Sequence, residues 1–89
     1  MKHVSIKISG RVQGVFFRAS TKEKADSLGI KGFVRNERDG SVYVEAEADD
    51  ETLKQFVDWC HRGPSRAEVK SVNVAEGNIQ GFTTFEVTR

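Results

Sequence analysis

The stretch Gly10-Arg11-Val12-Gln13-Gly14-Val15-Phe16-Phe17-Arg18 holds the residues best suited to chemistry, and what they suit is the capture of an anion. Its two glycines let the backbone turn sharply and come close to a ligand, so that successive main-chain N–H groups can converge on one point. A helix beginning at about Phe17 would aim its unpaired N–H groups and positive dipole end at the same point. Arg18, in the first helical turn, can fold its guanidinium back over that point and grip phosphate or carboxylate oxygens with a planar fork. A glycine-rich turn taken alone fits an ordinary strand-to-helix loop with a surface arginine equally well.

The rest of the chain limits which chemistry is available. At 89 residues it predicts one domain spanning 1–89, with a single modest core, so any site lies on the rim of that core. Charged residues of both signs are interspersed and the formal net charge is only +1, which gives no reason to expect bulk binding to nucleic acid or membrane. No apolar run is long enough to span a bilayer, and Met1-Lys2-His3-Val4-Ser5-Ile6 alternates like a strand without a signal-peptide core, so a cytoplasmic address is expected. Cys60 is the single cysteine and the two histidines are scattered, which leaves no metal cluster and points to chemistry without metal or thiol.

The elements that must position the loop follow from periodicity. Val4, Ile6 and Ile8 alternate with His3, Ser5, Lys7 and Ser9, the pattern of a strand with one buried face in an antiparallel sheet open on one side. Ala19 to Leu28 reads as a helix with Phe17, Thr21, Ala25 and Leu28 on one stripe and Gly29 as its left-handed C-cap. Ile30 to Glu37 and Ser41 to Ala48 form a hairpin about Arg38-Asp39-Gly40. A two-residue loop at Asp39-Gly40 would set Val34 opposite Glu45; the preferred three-residue loop, Arg38 to Gly40, instead pairs Val34 with Val44 and Asn36 with Val42, and places the Asn36 amide on the core-facing side, where a polar group needs a partner. Asp49 or Asp50 caps a second helix whose buried stripe is Leu53, Phe56, Val57 and Cys60, and Arg62-Gly63-Pro64 ends it. From Ala67 to Ala75 the chain reads as a strand with a bulge near Lys70-Ser71, then a turn over Glu76 to Gly81, then a short last strand around Phe85 and Val87. This order predicts an α+β, ferredoxin-like split βαβ sandwich: an antiparallel sheet of four to five strands with two helices on one face.

At Gly10 to Arg18 the sequence closely resembles the first signature of the acylphosphatase family. Gly32-Phe33-Val34-Arg35-Asn36 followed by Asp39-Gly40-Ser41-Val42 is similar to the family's second motif, and Gly63-Pro64 with Ala67 and Val69 to its usual passage into the fourth strand. Ala48 stands where the family often has glycine. The resemblance implies an enzyme that hydrolyses the carboxyl–phosphate bond of acyl phosphates without metal or cofactor. It implies that Arg18 holds the phosphate, that Asn36 positions the attacking water, and that the backbone N–H groups of Gln13, Gly14, Val15, Phe16 and Phe17 complete the cradle. The partner implied is a small acyl phosphate, with inorganic phosphate and similar anions as competing ligands, and the chain is expected to be a monomer.

The remaining candidates read as structural. Cys60 lies on a helix stripe and suits a small buried hydrophobe better than a nucleophile. Trp59 fits partial core, at least one of Phe16 and Phe17 should pack inward, and His3 and His61 are expected to be solvated. Two other functions compete with hydrolysis. One is a non-catalytic anion-binding or regulatory module that keeps the cradle but turns nothing over. The other is an RNA-recognition domain, which shares this element order, but here the basic-glycine-aromatic echo Lys31-Gly32-Phe33 falls on the second strand instead of the third.

Overall fold

Burial alternates along the first strand as its sequence requires, with Val4, Ile6 and Ile8 inside and Lys7 in water. The computed structural model describes residues 1–88. The elements run β1 (Lys2–Arg11), α1 (Phe17–Leu28), β2 (Lys31–Asn36), β3 (Val42–Ala48), α2 (Asp50–Arg62), β4 (Glu68–Gly77) and β5 (Phe85–Val87). The strands form one sheet in the order β4-β1-β3-β2-β5. Helix α1 buries Phe17, Thr21 and Ala25, and α2 buries Leu53, Phe56 and Cys60, all in one core with Val4, Ile6, Ile8, Val34, Val42, Val44 and Ala46. Each large apolar side chain buried in this way contributes about 1.5–3 kcal/mol.

The sheet is mixed, which corrects the expectation of an antiparallel one. Three of its pairings are antiparallel, but β5 lies parallel to β2, with Gly32 opposite Phe85 and Val34 opposite Val87. Topology explains the difference. Strand β4 runs antiparallel to β1 at one edge, and the chain then reverses and crosses to the opposite edge, so it arrives running in the direction of β2. Strand β4 also continues to Gly77, through the start of the expected turn.

The hairpin adopts the three-residue register. Val34 pairs with Val44 and Asn36 with Val42, and the turn closes through Glu37 N–H to Ser41 O at 2.8 Å with Gly40 left-handed at φ 94°. Asp39 Oδ1 accepts from the Ser41 N–H at 3.0 Å and from its hydroxyl at 2.6 Å, and Lys7 reaches the same carboxylate at 2.7 Å. The bulge also falls where the pattern places it. Ser9 pairs with Ser71 and Gly10 with Val69, which leaves Lys70 as the extra residue. At Gly10, φ is 127° and a Cβ would run into the Glu68 carbonyl, so only glycine fits the strand's last stretch before the loop.

The face away from the helices carries the second correction. His3 is buried, not solvated: its Nδ1 lies 2.7 Å from Glu47 Oε2, its Nε2 lies 3.2 Å from Glu45 Oε1, and its ring stacks on Phe82. Glu47 itself is 2% exposed and accepts from the Gln80, Gly81 and Phe82 N–H groups at 2.5, 3.1 and 3.2 Å. The β4–β5 connection must cross this face, and Glu47 on the central strand β3 pins it there. A strand residue with a clean polar alternation gives no sign that a later loop will cover it. Phe33 packs between Tyr43 and Phe82, and Arg35 lies over the Tyr43 ring at 4.8 Å, so this face is occupied by its own side chains.

Glu47 makes stability depend on pH. Burial works to raise its pKa, but the three N–H donors and His3 outweigh that and hold it below the ordinary carboxylate range. A carboxyl with a depressed folded pKa contributes stability that is fully present above its unfolded value, near 4.3, and lost as pH falls through the folded value. Glu47→Gln should therefore cost about 2 kcal/mol or more in urea unfolding at pH 7, the scale of charged hydrogen bonds lost from a buried site. The gap to wild type should narrow at pH 3.

Candidate active site

Between the end of β1 and the start of α1 the chain makes two left-handed steps, at Gly14 (φ 75°) and Phe16 (φ 64°, ψ 23°). Val12 and Val15 are buried on either side of Gly14 and plug the loop into the core. Phe16 is the N-cap of α1 and provides no side-chain cap, and the first helical bond is Ser20 N–H to Phe16 O at 3.0 Å. Among the described residues, no main-chain or side-chain acceptor meets the N–H groups of Gln13 through Ala19. These donors belong to a short arc of backbone together with the positive end of the helix.

The arc borders an open cavity of about 220 Å³ lined by Gly14, Phe16, Arg18, Ala19, Asn36 and Val87 with the buried Val12 and Phe17. Arg18 is half-buried, is the only charged side chain of the lining, and makes no ion pair with another described residue. Asn36 enters from the end of β2. Its amide oxygen is buried and has no hydrogen-bond partner among the described residues, a condition that costs about 1–3 kcal/mol when left unmet. An uncapped helix start, an unpaired guanidinium and an orphaned amide oxygen thus share one cavity. That combination suits an oxyanion together with a small hydrogen-bond donor such as water.

The expected site residues divide within this geometry. Gly14, Phe16, Phe17, Arg18 and Asn36 line the cavity, whereas Gln13 and Val15 are not part of its lining. The two adjacent phenylalanines part ways: Phe17 is 1% exposed and packs against Trp59, while Phe16 is 73% exposed. Gln13 has a use that the sequence did not reveal. Its side-chain amide donates to Glu37 O at 2.7 Å and to Ser41 O at 3.0 Å, which ties the loop to the hairpin that carries Asn36. Val87 was also missed, because a three-residue strand at the far end of the chain has no motif, and only its pairing with β2 brings it here. Cys60 sits in the core with its thiol pushed up to about 12 by burial, far from a nucleophile's range. Among the described residues no group of three or more His, Cys, Asp or Glu is placed to hold a metal ion.

Comparison with known proteins gives this geometry a context. Residues 4–87 match the family model described as acylphosphatase. An acylphosphatase of Methylococcus capsulatus is 47% identical over 100% of this chain and 98% of its own length. One from Nocardioides sp. is 46% identical over 94% of this chain and 85% of its own. The crystal structure of acylphosphatase from Bacillus subtilis superposes with a TM-score of 0.97 at 32% identity, covering 100% of both chains. The chain belongs to the acylphosphatase family, and the reaction it carries out is the hydrolysis of acyl phosphates.

Proposed function

We propose that the cavity between the 12–16 loop and the end of β2 is where that hydrolysis takes place, with Arg18 and the loop amides holding the phosphoryl group and Asn36 placing the water. The observation that carries this reading is the buried, partnerless Asn36 oxygen in the same cavity as Arg18 and the unpaired N–H groups. An acyl phosphate is a mixed anhydride whose leaving group is a carboxylate, and a carboxylate departs without a proton. The reaction needs no strong general acid, only a fixed phosphoryl group, donors for its oxygens and a water in line.

The residues supply those requirements in turn. Arg18 and the N–H groups of Gln13 to Phe17 spread the charge of the phosphoryl oxygens over preorganised donors. Asn36 Oδ1 accepts a hydrogen bond from water and so orients a water lone pair toward phosphorus. The new bond forms from water to phosphorus as the bond to the acyl oxygen breaks, and the acyl carboxylate leaves. A neutral amide is no base, so the water's proton passes to a phosphoryl oxygen or to solvent. Inorganic phosphate, the product, presents the same oxygens and competes for the cradle.

The test is hydrolysis of benzoyl phosphate in excess EDTA by the wild type, Arg18→Ala and Asn36→Ala. Arg18→Ala should lose both phosphate inhibition and nearly all turnover. Asn36→Ala should keep phosphate inhibition but lose turnover by about 10²-fold or more, the scale of a lost preorganised group. Phosphate inhibition unchanged in Arg18→Ala would defeat that assignment, and phosphate binding without wild-type turnover would mean a recognition module. Gln13→Ala removes two bonds of about 1 kcal/mol each, so urea unfolding should show about 1–2 kcal/mol of lost stability at an unchanged m-value.

A further inference from the structure

Two apolar side chains at the cavity are left unexplained by the handling of phosphate. Phe16 and Val87 line it and are 73% and 42% exposed, whereas the other large apolar residues of the lining, Val12 and Phe17, are each 1% exposed and belong to the core. Phe16 is also the only described non-glycine residue with positive φ, at 64°. That conformation is unfavourable for an aromatic residue and would be met more easily by glycine or asparagine. The ring adds little to the core for that strain, since most of its surface stays in water. Val87 is exposed although its strand neighbour Phe85 is fully buried. Folding therefore gives no reason for an aromatic and a branched apolar side chain to flank an anion-binding cavity.

The substrate gives one. An acyl phosphate has a charged end and an acyl end, and the cavity's donors all serve the charged end. At about 220 Å³ the cavity is smaller than the roughly 300–1,000 Å³ of pockets that enclose a whole organic ligand. With the phosphoryl group among the amides, the acyl group must extend past the mouth, where it meets Phe16 and Val87. Resting on the reading of this cavity as the hydrolytic site, we propose that Phe16 and Val87 form an apolar rim that receives the acyl group. This rim makes the enzyme select bulky apolar acyl phosphates, aromatic ones above all, over acetyl phosphate. An aromatic acyl group gains an offset or edge contact with the Phe16 ring and covers apolar area on Val87, whereas an acetyl group is too small to do both.

The test compares kcat/KM for benzoyl phosphate and acetyl phosphate, in EDTA, for the wild type, Phe16→Gly, Phe16→Leu and Val87→Ser. Phe16→Gly removes the ring while suiting the left-handed backbone, and Val87→Ser probes the rim from a different element should the loop variants fold poorly. The benzoyl-to-acetyl ratio should favour benzoyl in the wild type. It should fall by about tenfold in Phe16→Gly, the effect of one lost aromatic contact, fall severalfold in Val87→Ser, and return part of the way in Phe16→Leu. Ratios equal to wild type in both Phe16→Gly and Val87→Ser, with hydrolysis of both substrates intact, would overturn the rim and leave the hydrolytic site standing. A wild type that hydrolyses neither substrate would overturn both.

Discussion

Main-chain N–H groups without acceptors are costly wherever they are kept from water, and the run from Gln13 to Ala19 has none among the described residues. Because the arc opens on a cavity, water can serve those donors. What must be prevented is collapse of the loop onto some nearer acceptor. Val12 and Val15 prevent it from below by anchoring in the core, and the Gln13 amide prevents it from the side by bonding Glu37 and Ser41 across the hairpin. Gly10 lets β1 run close beside β4 at the bulge immediately before the loop begins. On the opposite face, Glu47 holds the crossing connection that delivers β5, and with it Val87, to the edge beside β2. The site is thus a property of the whole sheet, although its donors come from one short stretch.

The same constraint explains why so little catalytic apparatus is present. On the proposed reading the donors are fixed before substrate arrives, so they need no reorganisation as charge develops on the phosphoryl oxygens. A carboxylate leaving group removes the need for an acid, and the orphaned Asn36 oxygen provides an acceptor where a water can be held. Cys60, the single cysteine, is buried with its thiol pushed up to about 12. The cavity's lining holds both polar groups and two exposed apolar side chains, Phe16 and Val87.

Legibility in the sequence followed the range of the interactions involved. Features set by neighbours in the chain were readable: the strand alternation of Val4, Ile6 and Ile8, the stripes of both helices, the three-residue hairpin loop and the bulge at Lys70. The register of that hairpin was enough to turn Asn36 toward the core, and the stretch Gly10 to Arg18 is where the acceptor-free N–H groups and most of the cavity's lining lie. Features set by distant crossings were not readable. His3 looked solvated because nothing near it in sequence shows that Phe82 will stack on it or that Glu47 will be covered. The parallel β2–β5 pair depends on where a long connection lands, and the Gln13 bonds depend on a hairpin more than twenty positions away. Val87 joins the site through that same parallel pair, which is why no local pattern could have singled it out.

The central claim is that main-chain N–H groups of one loop and helix start, with Arg18, form the anion site. The most direct measurement is a titration of the ¹⁵N-labelled protein with inorganic phosphate, following backbone and side-chain amide resonances by NMR. The account predicts the largest, saturable shifts at Gly14 through Ala19 and at the Arg18 guanidinium, a smaller response at the Asn36 side-chain amide, and loss of all of them in Arg18→Ala. Shifts centred elsewhere on the surface, or phosphate binding that leaves the amides of this loop unmoved, would contradict it.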